Sequence, residues 1–476
     1  MNMKFVDRKS ELSILEEEFK KTPERASMTI VYGRRRIGKT ELIKQFMSKK
    51  DHIYFLATLQ SREDVVKAFS LRAAEFFADR AAASSPHTAW EGFFEYLARE
   101  IKSRKKPLVL IFDEFTYLVQ QDRATPSIFQ YYWDEHLKNL PVMLILCGSY
   151  VGMMEREVLA YRSPLYGRRT RELFITEIEP RYLKEFLPGY SAEELVQAHA
   201  ILGGVPFHLK QFDSSKGVLE NIKENFLQKD KALFNDALLL LREELKEPRN
   251  YLSILKAIAF GKTTPKEIAD ESHLDKPLVG KYLDVLKGMK LVKRVVPVTE
   301  RNPERSKKGL YSIGDNYFNF WLRFVYPFLD YVEEGRVDEL MQAIIMPNLN
   351  PFVGRAFEGL ARRAMIELNK RKELPFSFER IGPWWHRGVE IDLVALNNRS
   401  REILFTEVKW TDLGGRDVER LMRELEKKAE RVEWRKRARK EHYGLVAKKI
   451  EGKKGLRGRH GWLLLDLDDV TRLLFG

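Results

Sequence analysis

At 476 residues, with 44% apolar and 32% charged residues, the chain has room for about three domains and is too apolar to be largely disordered. Lys and Arg number 83 against 69 Asp and Glu, and the net charge of +14 favours polyanionic partners, nucleic acid first. The longest apolar runs are too short to cross a bilayer, "MNMKFVDRKSEL" has no apolar h-region, and the single cysteine, Cys147, excludes an intrachain disulfide or a cysteine metal site, so a cytoplasmic protein without membrane association is expected.

Residues 1–179 alternate short apolar runs with helical patterns. The runs are "MTIVYG", "HIYFLA", "PLVLIFDEF", "VMLILCGS" and "RELFITEI". Each is continuously apolar rather than alternating, the pattern of parallel strands covered on both faces. Strands separated by helices predict a doubly wound α/β sheet. The first run leads into "GRRRIGKTELIKQF", with the full G-x-x-x-x-G-K-T spacing. A helix follows in which Leu42, Ile43, Phe46 and Met47 share one face. Glycines let consecutive N–H groups turn inward around phosphates, and the helix start adds the positive end of its dipole. The expected cradle is Gly33, Arg34, Arg35, Arg36, Ile37, Gly38, Lys39, Thr40 and Glu41. In it Lys39 reaches the β- and γ-phosphates and the Thr40 hydroxyl takes a magnesium position. A second "GKT", Gly261-Lys262-Thr263, has Lys256 where the upstream glycine belongs and reads as a turn.

"PLVLIFDEF" ends in Asp113-Glu114. An aspartate at a strand end can hold the magnesium shell, and the glutamate beside it can orient and deprotonate the attacking water. Ser149, at the end of "LILCGSY", stands where a polar γ-phosphate sensor belongs, and the same residue type also caps helices.

With these motifs, residues 1 to about 250 resemble the AAA+/STAND P-loop ATPases, particularly the archaeal ATPase family. "FVDRKSEL" is similar to that family's F-x-x-R-x-x-E-L opening, which implies that Phe5, Arg8 and Glu11 lie by the adenine or support the loop. "LYGRRT" puts Arg168 and Arg169 where the family carries arginine-finger candidates. "LGGVPFHL" resembles its GxP element, so that Gly204 and Pro206 face the nucleotide. The resemblance implies ATP and Mg. A finger supplied in trans, worth on the order of a thousandfold or more, implies a homo-oligomer or a partner-dependent ATPase.

Over residues 180–247 the strands give way to helical periodicity, as in "SAEELVQAHAIL", and predict a helical lid. Residues 248–330 read as three helices, then "KLVKRVVPV" and "GLYSI" joined by the polar tip "TERNPERSKK", a winged helix-turn-helix pattern. Thr264 is placed to cap the second helix, and Leu278, Val279, Tyr282, Leu283 and Leu286 to form the core face of the third. Lys276, Lys281 and Lys287, with Arg301, Arg305, Lys307 and Lys308 on the wing, suit contact with a DNA backbone. The third helix lacks Arg, Asn and Gln, so little sequence reading is expected. Packing against the ATPase or binding another protein is the alternative role.

Residues 346–476 read as helix, strand, strand, helix, strand, strand. Glu358 lies on the helix, Asp392 in "GVEIDLVAL", and Glu407 and Lys409 in "ILFTEVKW", where a spacing of two puts both on one face. This order resembles the PD-(D/E)XK, restriction-endonuclease-like α/β core. The resemblance implies Mg or Mn on Glu358, Asp392 and Glu407, with Lys409 positioning the nucleophile or stabilising developing charge. The fold also occurs without cleavage. "GPWWHRG" reads as a hairpin tip, with Trp384 and Trp385 either touching substrate or packed in the core. The expected function is ATP hydrolysis coupled to DNA binding or metal-dependent cleavage. The alternatives are a STAND-like nucleotide switch that recruits a protein, and a DNA-binding ATPase that does not cut.

Overall fold

The computed structural model describes residues 5–475. They fall into two units. One comprises residues up to Ile178 together with Val205–Phe207, and the other runs over Glu179–Gly204 and His208 onward. No helix among the described residues is long and apolar enough to cross a membrane.

The first unit is built on five parallel strands: β1 (Ser27–Tyr32), β2 (His52–Leu56), β3 (Leu108–Asp113), β4 (Val142–Gly148) and β5 (Arg171–Phe174), in the order β2-β3-β4-β1-β5. Every residue of β1, β3 and β4 is buried, which is why those runs are continuously apolar. Alternate side chains feed two cores. Val31, Val109, Ile111 and Ile145 pack with Ile37, Leu42 and Phe46 on one face, while Ile30, Leu110, Phe112 and Leu144 pack with Phe55, Phe93 and Phe94 on the other. In a parallel sheet the carboxyl ends of all strands lie along one edge, and a crevice opens there where the strand order reverses. Placing β4 between β1 and β3 thus brings Gly33, Asp113 and Ser149 to the same edge.

The second unit begins with helices, among them Ala192–Leu202, Val218–Phe226 and Ala232–Glu244. Helices Pro248–Ala259, Pro265–Ser272 and Lys276–Gly288 follow, then an antiparallel pair, β6 (Val292–Val295) and β7 (Leu310–Ile313). Thr264 caps the middle helix, accepting from the Glu267 N–H while Glu267 reaches back. Leu278 departs from expectation: it is 36% exposed, whereas Val279, Tyr282, Leu283 and Leu286 are buried. It stands about 100° around the helix from Val279, at the rim of the buried stripe rather than within it.

The unit ends in a five-stranded sheet ordered β12-β11-β10-β9-β8, with β8 (Arg380–His386), β9 (Val389–Asn397), β10 (Glu402–Leu413), β11 (Lys440–Ile450) and β12 (Leu463–Leu465). Helix Met346–Arg371 packs on β10, and helix Gly415–Ala429 packs on β9, β10 and β11. The sheet has one strand more than the sequence pattern suggested. "RIGPWWH" is the edge strand β8, and only Arg387-Gly388 forms the turn. Pro383 is tolerated because an edge position asks nothing of its missing N–H. The segments expected as lid, wing and C-terminal domain share one continuous core, which includes Leu202, Leu240, Leu283, Trp321, Phe357 and Leu404.

Candidate functional site

In the first unit the loop after β1 closes on itself. The Lys39 ammonium donates to the carbonyls of Gly33 and Arg34 at 2.8 and 2.9 Å, and the residue is 5% exposed. Helix Lys39–Met47 starts at Gly38, which has φ +95°, a conformation that favours glycine. Pro206 Cγ lies 3.8 Å from where a Gly38 side chain would begin. The three loop arginines turn to three different partners. Arg34 approaches Glu177 at 4.0 Å, Arg35 donates to the Tyr117 hydroxyl at 2.9 Å, and the Arg36 guanidinium lies 4.4 Å from the Phe207 ring. Arg8 braces the loop from outside, donating to the carbonyls of Ile37 and Thr176 and pairing with Glu11 at 3.0 Å. Glu41 is exposed and, among the described residues, pairs with Lys44 at 3.2 Å rather than with the loop.

Gly33 has no room for a side chain: a Cβ there would sit 2.4 Å from the Ile175 carbonyl oxygen, on backbone that cannot yield. Gly33→Ala is expected to lower stability by about 1–3 kcal/mol, the usual cost of overpacking, read as a drop in thermal midpoint alongside weakened ATP retention.

Asp113 is the hub. Its Oδ2 accepts from the Thr40 hydroxyl at 3.0 Å and the Tyr54 hydroxyl at 2.5 Å, and its Oδ1 from the Glu114 N–H at 2.9 Å. Burial, and then the bond to Asp113, push the Tyr54 phenol well above its ordinary value, so it stays a donor. Glu114 has φ 55°, a left-handed turn that breaks the chain from strand to helix. Its Oε1 accepts from the Ser149 hydroxyl at 2.6 Å, and its Oε2 is buried without a partner among the described residues. An orphaned carboxylate oxygen beside a closed amide loop fits a site made for phosphate, metal and water. Arg168 and Arg169 do not reach this cluster. Arg168 makes two bonds to Asp134, at 2.6 and 2.9 Å, and Arg169 pairs with Glu172 at 3.3 Å and donates to the Leu159 carbonyl.

In the second unit, the ladder between β9 and β10 ends at Leu393↔Thr406 and the β10–β11 register slips after Lys409. Asp392 and Glu407 therefore stand where the strands part, and Asp392 Oδ2 takes the Val408 N–H at 2.8 Å in place of a backbone partner. Lys409 bridges Glu407 and Asp392 at 2.8 and 3.3 Å. Lys428, from helix Gly415–Ala429, pairs with the other Glu407 oxygen at 2.7 Å. Burial pushes Glu358 up to about 7, with Asp392 adding to the shift. Burial and Glu407 raise Asp392 to about 6, whereas the two lysines outweigh burial and hold Glu407 below its ordinary value. Among the described residues no three acidic, imidazole or thiol groups converge closely enough to form a metal-holding set. In this geometry the ammonium groups, not the acids alone, fill the centre expected of Glu358, Asp392 and Glu407.

Tyr54 and Lys428 escaped the sequence reading. Each meets its partner only through strand order or helix packing, with separations of 59 and 21 residues, and no local pattern marks either.

Comparison with known proteins bears on both units. A family model described as an ATPase domain predominantly from Archaea matches residues 5–212, and one described as Archaea bacterial proteins of unknown function, DUF234, matches residues 321–421. The uncharacterized protein MJECL04 of Methanocaldococcus jannaschii is 37% identical over 473 residues, covering 98% of this chain and all of that protein. The uncharacterized ATP-binding protein MJ0423 of the same organism is 50% identical over 46 residues, 10% of this chain and 75% of its own length. Among solved structures, the Walker-type ATPase PABY2304 of Pyrococcus abyssi has a similar fold, with a TM-score of 0.50 and 23% identity over 68% of this chain and 97% of that one. Matched along 98% of its length by MJECL04, the chain belongs to that protein's family, which in this chain carries an archaeal-type ATPase domain over residues 5–212 and DUF234 over residues 321–421.

Proposed function

We propose that this protein hydrolyses ATP at the loop 33–41 and couples that reaction to nucleic-acid, most simply DNA, binding and cleavage. The division of labour is an ATPase domain over 1–179, a helical lid over 180–247, a winged helix over 248–330 and a nuclease-like domain over 346–476. One observation carries the reading: Thr40, Asp113, Glu114 and Ser149 form a single hydrogen-bonded chain beside the loop, in which Glu114 Oε2 has no partner among the described residues.

The main-chain amides of 33–40 bind the phosphates, and Lys39 exchanges the carbonyls of Gly33 and Arg34 for the β- and γ-phosphate oxygens. Magnesium held by Thr40 and Asp113 would supply neutralisation of the developing phosphate charge. Glu114 accepts the proton of the attacking water at its free oxygen while Ser149 fixes the carboxylate in place. In the second unit Asp392 and Glu407 would offer hard oxygens to Mg or Mn, but Lys409 and Lys428 hold them, and Glu358 does not complete a metal-holding set among the described residues. Lys409 and Lys428 would be the groups that meet the charge of a phosphodiester there.

The test is retention of ATP and release of phosphate by the purified protein, together with end-labelled DNA in Mg or Mn, with and without ATP. Lys39→Ala is expected to lose ATP retention and turnover. Retention and turnover at wild-type level in that variant would sink the loop assignment, and DNA that is neither held nor cut at low salt would sink the second half.

A second reading, a slow nucleotide switch that recruits a protein partner, is favoured by the arginines. Arg168 and Arg169 are tied to Asp134 and Glu172 of their own chain, so an isolated subunit presents neither as a finger. Turnover per subunit that rises with protein concentration marks assembly; turnover that rises only on addition of another protein marks the switch.

A further inference from the structure

Where the wing meets the last sheet, the fold makes a cleft that the ATPase and the acidic cluster do not use. The chain leaving β6 runs along edge strand β8. The Val298 N–H donates to the Pro383 carbonyl at 2.9 Å, and Val298 is buried with Trp384, Ile391 and Val394. Arg380 of β8 donates to the Glu300 carbonyl at 2.8 Å. The wing is thus pinned to the sheet, and the gap between them is a half-open cleft.

That gap is a cavity of about 650 Å³. Arg301, Lys308, Arg380, Arg431 and Arg435 line it against one carboxylate, Glu433, whose nearest cation is Lys436 at 3.7 Å. Arg301, Arg431 and Arg435 make no ion pair among the described residues. The indoles of Trp384, Trp385 and Trp434 also line the cavity, with the Arg435 guanidinium 5.9 Å from the Trp434 ring. Trp384 is buried at 5% exposure, but Trp385 and Trp434 are only half-buried.

Unpaired guanidinium groups next to half-open indoles are the two elements of single-strand recognition: cations for the backbone, π faces for bases. A duplex hides its base faces in the stack. The cavity has the volume of a site that encloses a small ligand, about 300–1,000 Å³, and admits a nucleotide or two but not a double helix. We propose that this cleft binds an unpaired stretch of nucleic acid, with bases stacked on Trp385 and Trp434 and phosphates on Arg301, Arg431 and Arg435. The proposal rests on the reading that this half of the protein binds nucleic acid, and it is separate from whether the strand is cut.

The experiment titrates full-length protein into a fluorescein-labelled oligothymidylate and into a labelled duplex of equal length, in EDTA, at two salt concentrations. Anisotropy and tryptophan quenching are followed together. Arg431 and Arg435 are exposed and lie off the wing, so the double variant Arg431→Glu, Arg435→Glu removes cleft cations without touching the wing. It is expected to bind oligothymidylate at least tenfold more weakly, with the slope of log affinity against log salt reduced by about 0.7 for each cation lost. Trp434→Leu keeps an apolar side chain and is expected to lose about five- to a hundredfold in affinity and the share of the quenching that Trp434 contributes. Duplex affinity stays at the wild-type value in both. Variants that hold oligothymidylate as tightly as wild type, or that lose duplex and single strand equally, overturn the cleft assignment alone. Wild-type protein that binds neither oligonucleotide overturns the nucleic-acid reading and this inference with it.

Discussion

Glu114→Gln is expected to leave ATP bound and to slow its hydrolysis by about a hundred- to ten-thousandfold, the span attributed to a positioned general base. The amide keeps the shape of the carboxylate and still accepts from the Ser149 hydroxyl, which now lies 2.6 Å from Oε1. What it loses is the capacity to take a proton at the other oxygen, which is buried without a partner. The left-handed turn at residue 114 is set by backbone geometry and is indifferent to the change. Filter retention of labelled ATP and a single-turnover phosphate assay separate the two effects. Unchanged turnover would remove Glu114 from the chemistry. Lost retention would make its role structural. Ser149→Ala is expected to move in the same direction by a smaller factor, because it frees the carboxylate to rotate without removing it.

The parts of this molecule that were legible in the sequence are those decided locally. A G-x-x-x-x-G-K-T turn between a strand and a helix needs no distant residue to define it, and Asp113-Glu114 follows an apolar strand that announces its own end. Strands β1, β3 and β4 were legible because burial on both faces leaves them continuously apolar. Strand β8 was not, since Gly382 and Pro383 spell a turn to any local reading, and only an edge position tolerates them. Tyr54 reaches Asp113 because β2 lies beside β3 with Leu56 paired to Asp113, a register that the crossover helices set and the run "HIYFLA" does not carry. The lysines around Glu407 show the same limit. Lys409 was legible at a spacing of two on one strand, while Lys428 arrives on a helix whose position depends on packing against β9, β10 and β11.

On the proposed reading that the second unit binds and cuts DNA, Lys409→Ala is expected to abolish cleavage products while DNA remains bound, and the reason lies in what the ammonium now does. It bridges Asp392 and Glu407 at 3.3 and 2.8 Å, compensating two carboxylates that burial would otherwise push toward their neutral forms. Its removal leaves Lys428 on Glu407 and nothing comparable on Asp392, so the Asp392 carboxyl rises further above its present value. At the phosphodiester the variant lacks the donor that would meet developing charge, a loss of about a hundred- to a thousandfold for one such group. Lys428→Ala leaves both contacts of Lys409 in place and is expected to cost less. End-labelled DNA in Mn across a pH series, with binding followed in parallel, reads both variants. If products persist in Lys409→Ala at the wild-type rate, the carboxylate cluster is an ion-pair network that ties β9 and β10 to the Gly415–Ala429 helix. A lower thermal midpoint would then be the variant's only phenotype.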